Sequence, residues 1–233
     1  MWDGLRARLA VEWRAVFPEV WRRLRTAGPR AVPLTLASCA GIGLLQLVQH
    51  AQGASDWVDR LGGVYATLPW WQALLRTPLS LFVPDPSLPV WGLLLQVVVV
   101  FGIAETTLGA RRTLGVALLA TVAGTGLARW SLWTGPHVLP NLTAQAVLVR
   151  DTGPSAAVVA LGVYVACLRR AWWTAGAVAL AIGVEVVWVT NLAGYEHLAG
   201  VVAVLALSTA EAVRRRGYGG PVTSTGGTGS LAR

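Results

Sequence analysis

The sequence predicts an all-α, polytopic membrane protein arranged as a bundle of six transmembrane helices, and three observations carry that expectation. Of 233 residues 55% are hydrophobic and only 13% charged, and the apolar residues fall in runs of about 20, the length a bilayer core requires. Arginines cluster in alternate gaps between these runs, and tryptophans gather at the run ends. A soluble domain of this size would interleave its apolar residues with charge.

Taken in order, residues 1–30 come first. Trp2, Leu5, Leu9, Trp13, Val16, Val20 and Leu24 recur at helical spacing with Arg6, Arg14, Arg22 and Arg25 between them, which predicts an amphipathic helix on the cytoplasmic leaflet. Pro18 is expected to bend or interrupt it. A juxtamembrane topology anchor is the plainer role; lipid or partner contact is the functional one.

The spans follow at about 31–49, 88–105, 113–131, 154–168, 171–190 and 195–213, and together residues 31–216 form the membrane domain. Span one begins too late and runs too long for a cleavable signal peptide. The Leu36-Ala37-Ser38-Cys39 stretch inside it looks like a lipoprotein processing box, but the apolar run continues through Gly41 to Val48. Cys39 and Cys167 lie in different spans without metal-ligand spacing, so neither a disulfide nor a metal site is expected. Residues 50–87 hold Trp57, Trp70, Trp71, Leu79, Leu81 and Phe82, too apolar for a solvated loop. They are interrupted by Pro69, Pro78, Pro84 and Pro86, which predicts a segment lying in, or re-entering, the outer interface. Span four is the shortest, as expected if the loop before it dips below the membrane surface. The Gly-, Ser- and Thr-rich tail, 217–233, reads as disordered.

The net charge of +8 comes with no lysine at all. Seven arginines precede span one, Arg111 and Arg112 follow span two, Arg169 and Arg170 follow span four, and Arg214 to Arg216 follow span six, whereas only Arg60, Arg76, Arg129 and Arg150 fall on the other side. The positive-inside rule therefore makes both termini cytoplasmic, in a multi-pass protein of a bacterial inner membrane. The charge is a topology signal, and nucleic acid is not an expected partner. Trp91, Trp130, Trp133, Trp172, Trp173 and Trp188 sit at span ends as interfacial anchors.

Two residues carry chemistry. Ser155 follows Gly153 and Pro154 where a loop gives way to span four, and His197 opens span six in YEHLAGVV. Both spans run from outside to inside, so serine and histidine enter the bilayer from the same side at similar depth. A neutral imidazole within hydrogen-bond reach can take the serine proton and return it to a leaving amine. Spans four and six must then pack directly, and Gly153, Ala156, Gly194, Ala199 and Gly200 supply the small surfaces for close approach. Taken singly, such a serine more often bonds to its own backbone and such a histidine is more often interfacial.

Gly153-Pro154-Ser155-Ala156 resembles the G-x-S-x motif of the rhomboid intramembrane serine proteases, in particular their divergent actinobacterial branch. His197-Leu198-Ala199-Gly200 is similar to the family's H-x-x-G motif, and Glu105 through Gly109, followed by Arg111 and Arg112, to its E-x-x-x-G element. Order and span number also match, over roughly residues 31–215. The resemblance implies a six-helix rhomboid-like bundle whose Ser155–His197 dyad cleaves single-span membrane proteins near their external boundary, with no metal or organic cofactor. It also exposes a departure. The family's span-two histidine and asparagine, which donate to the tetrahedral oxyanion, have their equivalents near Pro89 and Leu93, neither of which donates from a side chain; losing one such donor typically costs about 3 kcal/mol of transition-state stabilisation. The substitutes within reach are the Ser155 backbone N–H, Gln96, His137 and Asn141. The alternative function is a catalytically inactive rhomboid-like protein that binds or chaperones transmembrane helices. A transporter or channel is disfavoured, because no inverted symmetry or polar stripe is evident.

Three acidic residues complete the reading. Glu185, in span five, is expected to pair with Arg129 or Arg150 or to snorkel, ahead of a gating or substrate role. Glu105 is expected to order the turn after span two with Arg111 or Arg112. Asp151 is expected to satisfy amides at the start of span four.

Overall fold

Each of the six apolar segments is helical in the computed structural model, which describes residues 2–14, 16–51, 54–85, 89–135, 154–189 and 192–218. The helices are α1 (Trp2–Arg14), α2 (Phe17–Ala27), α3 (Pro33–His50), α4 (Ser55–Gly62), α5 (Trp70–Ser80), α6 (Val90–Gln96), α7 (Gly102–Leu108), α8 (Ala110–Thr134), α9 (Ser155–Leu168), α10 (Trp172–Trp188) and α11 (Leu192–Tyr218). A π-helical turn, Val97–Phe101, joins α6 to α7. No strand occurs among the described residues.

Length divides these helices. Val90–Leu108, Ala110–Thr134 and Leu192–Arg215 are long and apolar enough to cross a membrane, and α3 makes a fourth when joined to the N-terminal segment at a 57° bend. The shorter apolar helices are α9, with 14 residues, and α10, with 17. At 1.5 Å per residue α9 covers only about 21 Å of a roughly 30 Å hydrocarbon core. Its surroundings compensate: Ala156, Ala157, Val158, Ala160, Leu161, Val163, Tyr164, Val165 and Ala166 are all buried, so α9 is apolar all round because it is enclosed all round. The surface of the bundle is also apolar. Leu44, Leu47, Trp91, Leu95, Leu180, Val187, Trp188 and Val202, on four helices, are exposed, which suits a lipid surrounding. The chain is a helical membrane protein.

The packing order follows from close approaches. A Cβ at Gly124 would meet Glu196 at 3.1 Å, and one at Gly200 would lie 3.5 Å from Ala120 Cβ, Ala156 O and Ala160 Cβ. At the other end Arg112 of α8 and Tyr164 of α9 both reach Glu211 of α11. Helix α8 therefore runs antiparallel to α11, and α9 runs parallel to it. Small residues bring these backbones together where Leu or Phe would hold them apart.

Polar residues in the apolar helices tie distant elements together, and two sequence expectations are corrected here. Glu105, 3% exposed, does not order the turn after span two. Its carboxylate accepts from the backbone N–H groups of Leu34 and Thr35 and from the Thr35 hydroxyl, all at 2.8 Å. Those are first-turn amides of α3, which no local side chain caps, so a carboxylate of α7 supplies the cap and complements the helix dipole. Arg112 instead donates to Tyr164 and Glu211 at 2.5 Å each, while Arg111 is exposed. The turn itself is made by Gly109, whose φ of 81° and ψ of 158° lie in a region essentially reserved for glycine. The second correction concerns Arg129, which donates to the carbonyls of Leu68 and Tyr65 and so pins the segment before α5 rather than pairing with Glu185. Arg150 and Asp151 lie outside the described residues.

Helices α4 and α5 occupy the apolar segment between the first two spans. They bury Val58, Gly62, Ala73 and Thr77 and leave Trp57, Leu61, Trp70, Trp71 and Leu75 exposed, the two-sided pattern of helices lying at an interface. The N-terminal pair is interrupted between α1 and α2, with Pro18 in the first turn of α2, where its missing N–H costs nothing. Helix α1 docks on the start of α10. Glu12 accepts from the N–H groups of Trp173 and Thr174 and from the Thr174 hydroxyl, Trp13 Nε1 donates to the same hydroxyl, and Arg8 lies over the Trp173 ring. Desolvation opposes ionisation of Glu12, but these hydrogen bonds outweigh it and hold its pKa below the usual carboxylate value. A depressed folded-state pKa means that the contribution of this cap is present above the ordinary carboxylate range and is lost as pH falls through the lowered value.

Candidate functional site

Ser155 is the first residue of α9, following Pro154. The N–H groups of a helix's first turn have no acceptor within the helix and point toward its N-terminal end, so the serine stands where backbone donors converge. His197 lies in the second turn of α11. Gly200 meets α9 between Ala156 and Ala160. Stepping back three residues along both parallel helices leads from Gly200 to His197 and from the midpoint of that pair to Ser155. Equal rise per residue puts serine and histidine at the same height.

The imidazole is already engaged on one side. His197 Nδ1 lies 3.1 Å from Glu185 Oε2, and the side chains are 12% and 28% exposed. An ionised carboxylate only accepts, so with Glu185 ionised Nδ1 carries the proton and Nε2 of the neutral ring presents a lone pair. Nε2 is buried and has no hydrogen-bond partner among the described residues; Ser155 does not donate to it in this conformation. The arrangement is an imidazole held by a carboxylate at one nitrogen, with the other nitrogen buried and without a hydrogen-bond partner among the described residues.

Glu185 is the residue that sequence reasoning assigned to other partners. Its pairing with His197 comes from the packing of the consecutive helices α10 and α11. Glu185 lies three residues before the end of α10 and His197 five residues after the start of α11, so about 3 Å of rise separates them. Their separation of only twelve residues along the chain was the available signal.

The remaining candidates separate clearly. Gln96 ends α6 as an exposed residue, while Val97 and Phe101 beside it are buried, so the core-facing side of this stretch is apolar and Gln96 stands away from it. Leu93 packs partly buried against the main core, and Pro89 precedes α6 as an exposed residue. Gly200 sits at the contact between α8, α9 and α11. Gly153, His137 and Asn141 lie outside the described residues. Among the described residues no group of three or more His, Cys, Asp or Glu side chains is placed to hold a metal ion. Comparison of the chain with protein-family models, with curated proteins and with solved structures finds no match.

Proposed function

We propose that this protein is a rhomboid-type intramembrane serine endopeptidase, a six-span bundle in a bacterial inner membrane with both termini cytoplasmic, that cleaves single-span membrane proteins near their external boundary. The observation that carries the reading is the Glu185–His197 pair, which leaves Nε2 buried and unsatisfied on a helix packed against the one that Ser155 begins.

In the proposed reaction Ser155 Oγ attacks the scissile carbonyl carbon as its proton passes to His197 Nε2. Glu185 holds the ring in the required tautomer and stabilises the imidazolium that forms. The negative charge on the carbonyl oxygen is met by the Ser155 N–H at the start of α9, where the helix dipole adds to the hydrogen bond. The tetrahedral intermediate collapses with cleavage of the C–N bond, and His197 gives the proton to the departing amine. Water then repeats the sequence on the acyl-enzyme and restores the serine. The reaction requires Ser155 Oγ to reach His197 Nε2, a contact this conformation does not make.

A second reading, a catalytically inactive relative that binds transmembrane helices, is favoured by the missing Ser155–His197 hydrogen bond together with the apolar residues at Leu93 and Pro89. Co-expression with a panel of single-span reporters separates the two. The protease reading expects wild type to release reporter fragments cut near the external boundary, and Ser155→Ala and His197→Ala each to abolish release. Intact reporters that co-purify equally with wild type and both variants would favour the binding protein.

A further inference from the structure

We propose a binding site for an anionic phospholipid in the cleft formed by the end of α9, the start of α10 and the end of α11, with its headgroup at the arginine-rich face of the bundle. The cleft encloses about 570 Å³ and is walled by Leu168, Trp172, Leu205 and Val213, with Arg170 and Arg215 contributing the cationic groups. Leu205 and Arg215 are ten residues apart on one helix, about 15 Å along its axis, so the cleft passes from guanidinium groups to purely apolar wall in the direction a phospholipid passes from phosphate to acyl chain. Exposed Trp172 marks the level at which indole rings sit among headgroups.

Charge and hydrogen bonding fit this occupant. Glu211 also lines the cleft, but its carboxylate is held by Arg112 and Tyr164, so its charge is met from the opposite side. Neither Arg170 nor Arg215 has an ion-pair partner among the described residues. Basic pockets between membrane helices are established sites for anionic headgroups.

Arg170 permits a clean test because of its backbone. It is the non-glycine residue with positive φ among the described residues, at 59°, and its N–H bonds the Cys167 carbonyl while that of Ala171 bonds Ala166. That is the helix-ending turn in which glycine is normally preferred. Arg170→Gly therefore removes the cation while favouring the local fold. Native mass spectrometry of the full chain, titrated with dioleoyl phosphatidylglycerol or the matching phosphatidylcholine, is expected to show preferential binding of the anionic lipid. The Arg170→Gly/Arg215→Gln double variant is expected to lose that preference by about 10-fold or more, with its thermal unfolding in phosphatidylcholine no worse than wild type. Equal binding of the two lipids by wild type, or undiminished phosphatidylglycerol binding by the double variant, would overturn the proposal. Displacement of the lipid by millimolar inorganic phosphate would also overturn it, by assigning the arginines to a free phosphoryl ligand.

Discussion

Glu185→Ala is expected to slow covalent capture of Ser155 by a serine-directed phosphonate by about 10²- to 10⁴-fold, the range seen when the orienting carboxylate of a serine–histidine pair is removed. Without Glu185, Nδ1 loses its acceptor at 3.1 Å, either ring nitrogen can carry the proton, and the fraction of rings presenting a lone pair at Nε2 falls. Glu185→Gln is expected to behave similarly, since a neutral amide accepts a hydrogen bond but stabilises an imidazolium far less. Time-resolved labelling of purified protein in lipid gives the rates. Equal rates in wild type and Glu185→Ala would show that the carboxylate has no part in activating the serine.

The largest effect on stability is expected at Glu105. Removing its carboxylate by Glu105→Ala leaves two backbone donors and one hydroxyl of α3 unsatisfied in a buried site, and the combined cost is about 3 kcal/mol or more. The start of α3 should separate from α7, which unfolding in detergent and protease access near Pro33 would both report. Glu105→Gln keeps one accepting oxygen and is expected to lose only part of this. A Glu105→Ala variant within about 0.5 kcal/mol of wild type would mean that water or another group replaces the cap.

Both residues show where the sequence could be read and where it could not. The helices were legible because an apolar run about 20 residues long has few other fates, and the shortness of α9 was visible in the spacing from Pro154 to Arg169. The interruption of the N-terminal helix near Pro18 was equally local, as was the need for small residues at Gly200 and Ala156. The partners of Glu105, Glu185 and Arg129 were not legible. Each is a polar group in an apolar helix that must be satisfied somewhere, but which neighbour satisfies it depends on how the helix is rotated and on what packs beside it. Sequence proximity suggested Arg111 and Arg112 for Glu105; packing chose the first turn of α3, seventy residues away. For Glu185 the nearest opposite charges suggested themselves, whereas the packing of α10 beside α11 brought the histidine. Gln96 looked available from its spacing on span two, and the rotation of α6 turned it outward.

The most direct test of the hydrolytic site is peptide mapping of the full-length protein, reconstituted in lipid and exposed to a phosphonate probe. The account predicts an adduct on Ser155 that disappears in His197→Ala and leaves every other serine unmodified. No adduct at Ser155, under conditions in which a known serine protease in the same bilayer is fully labelled, would contradict it.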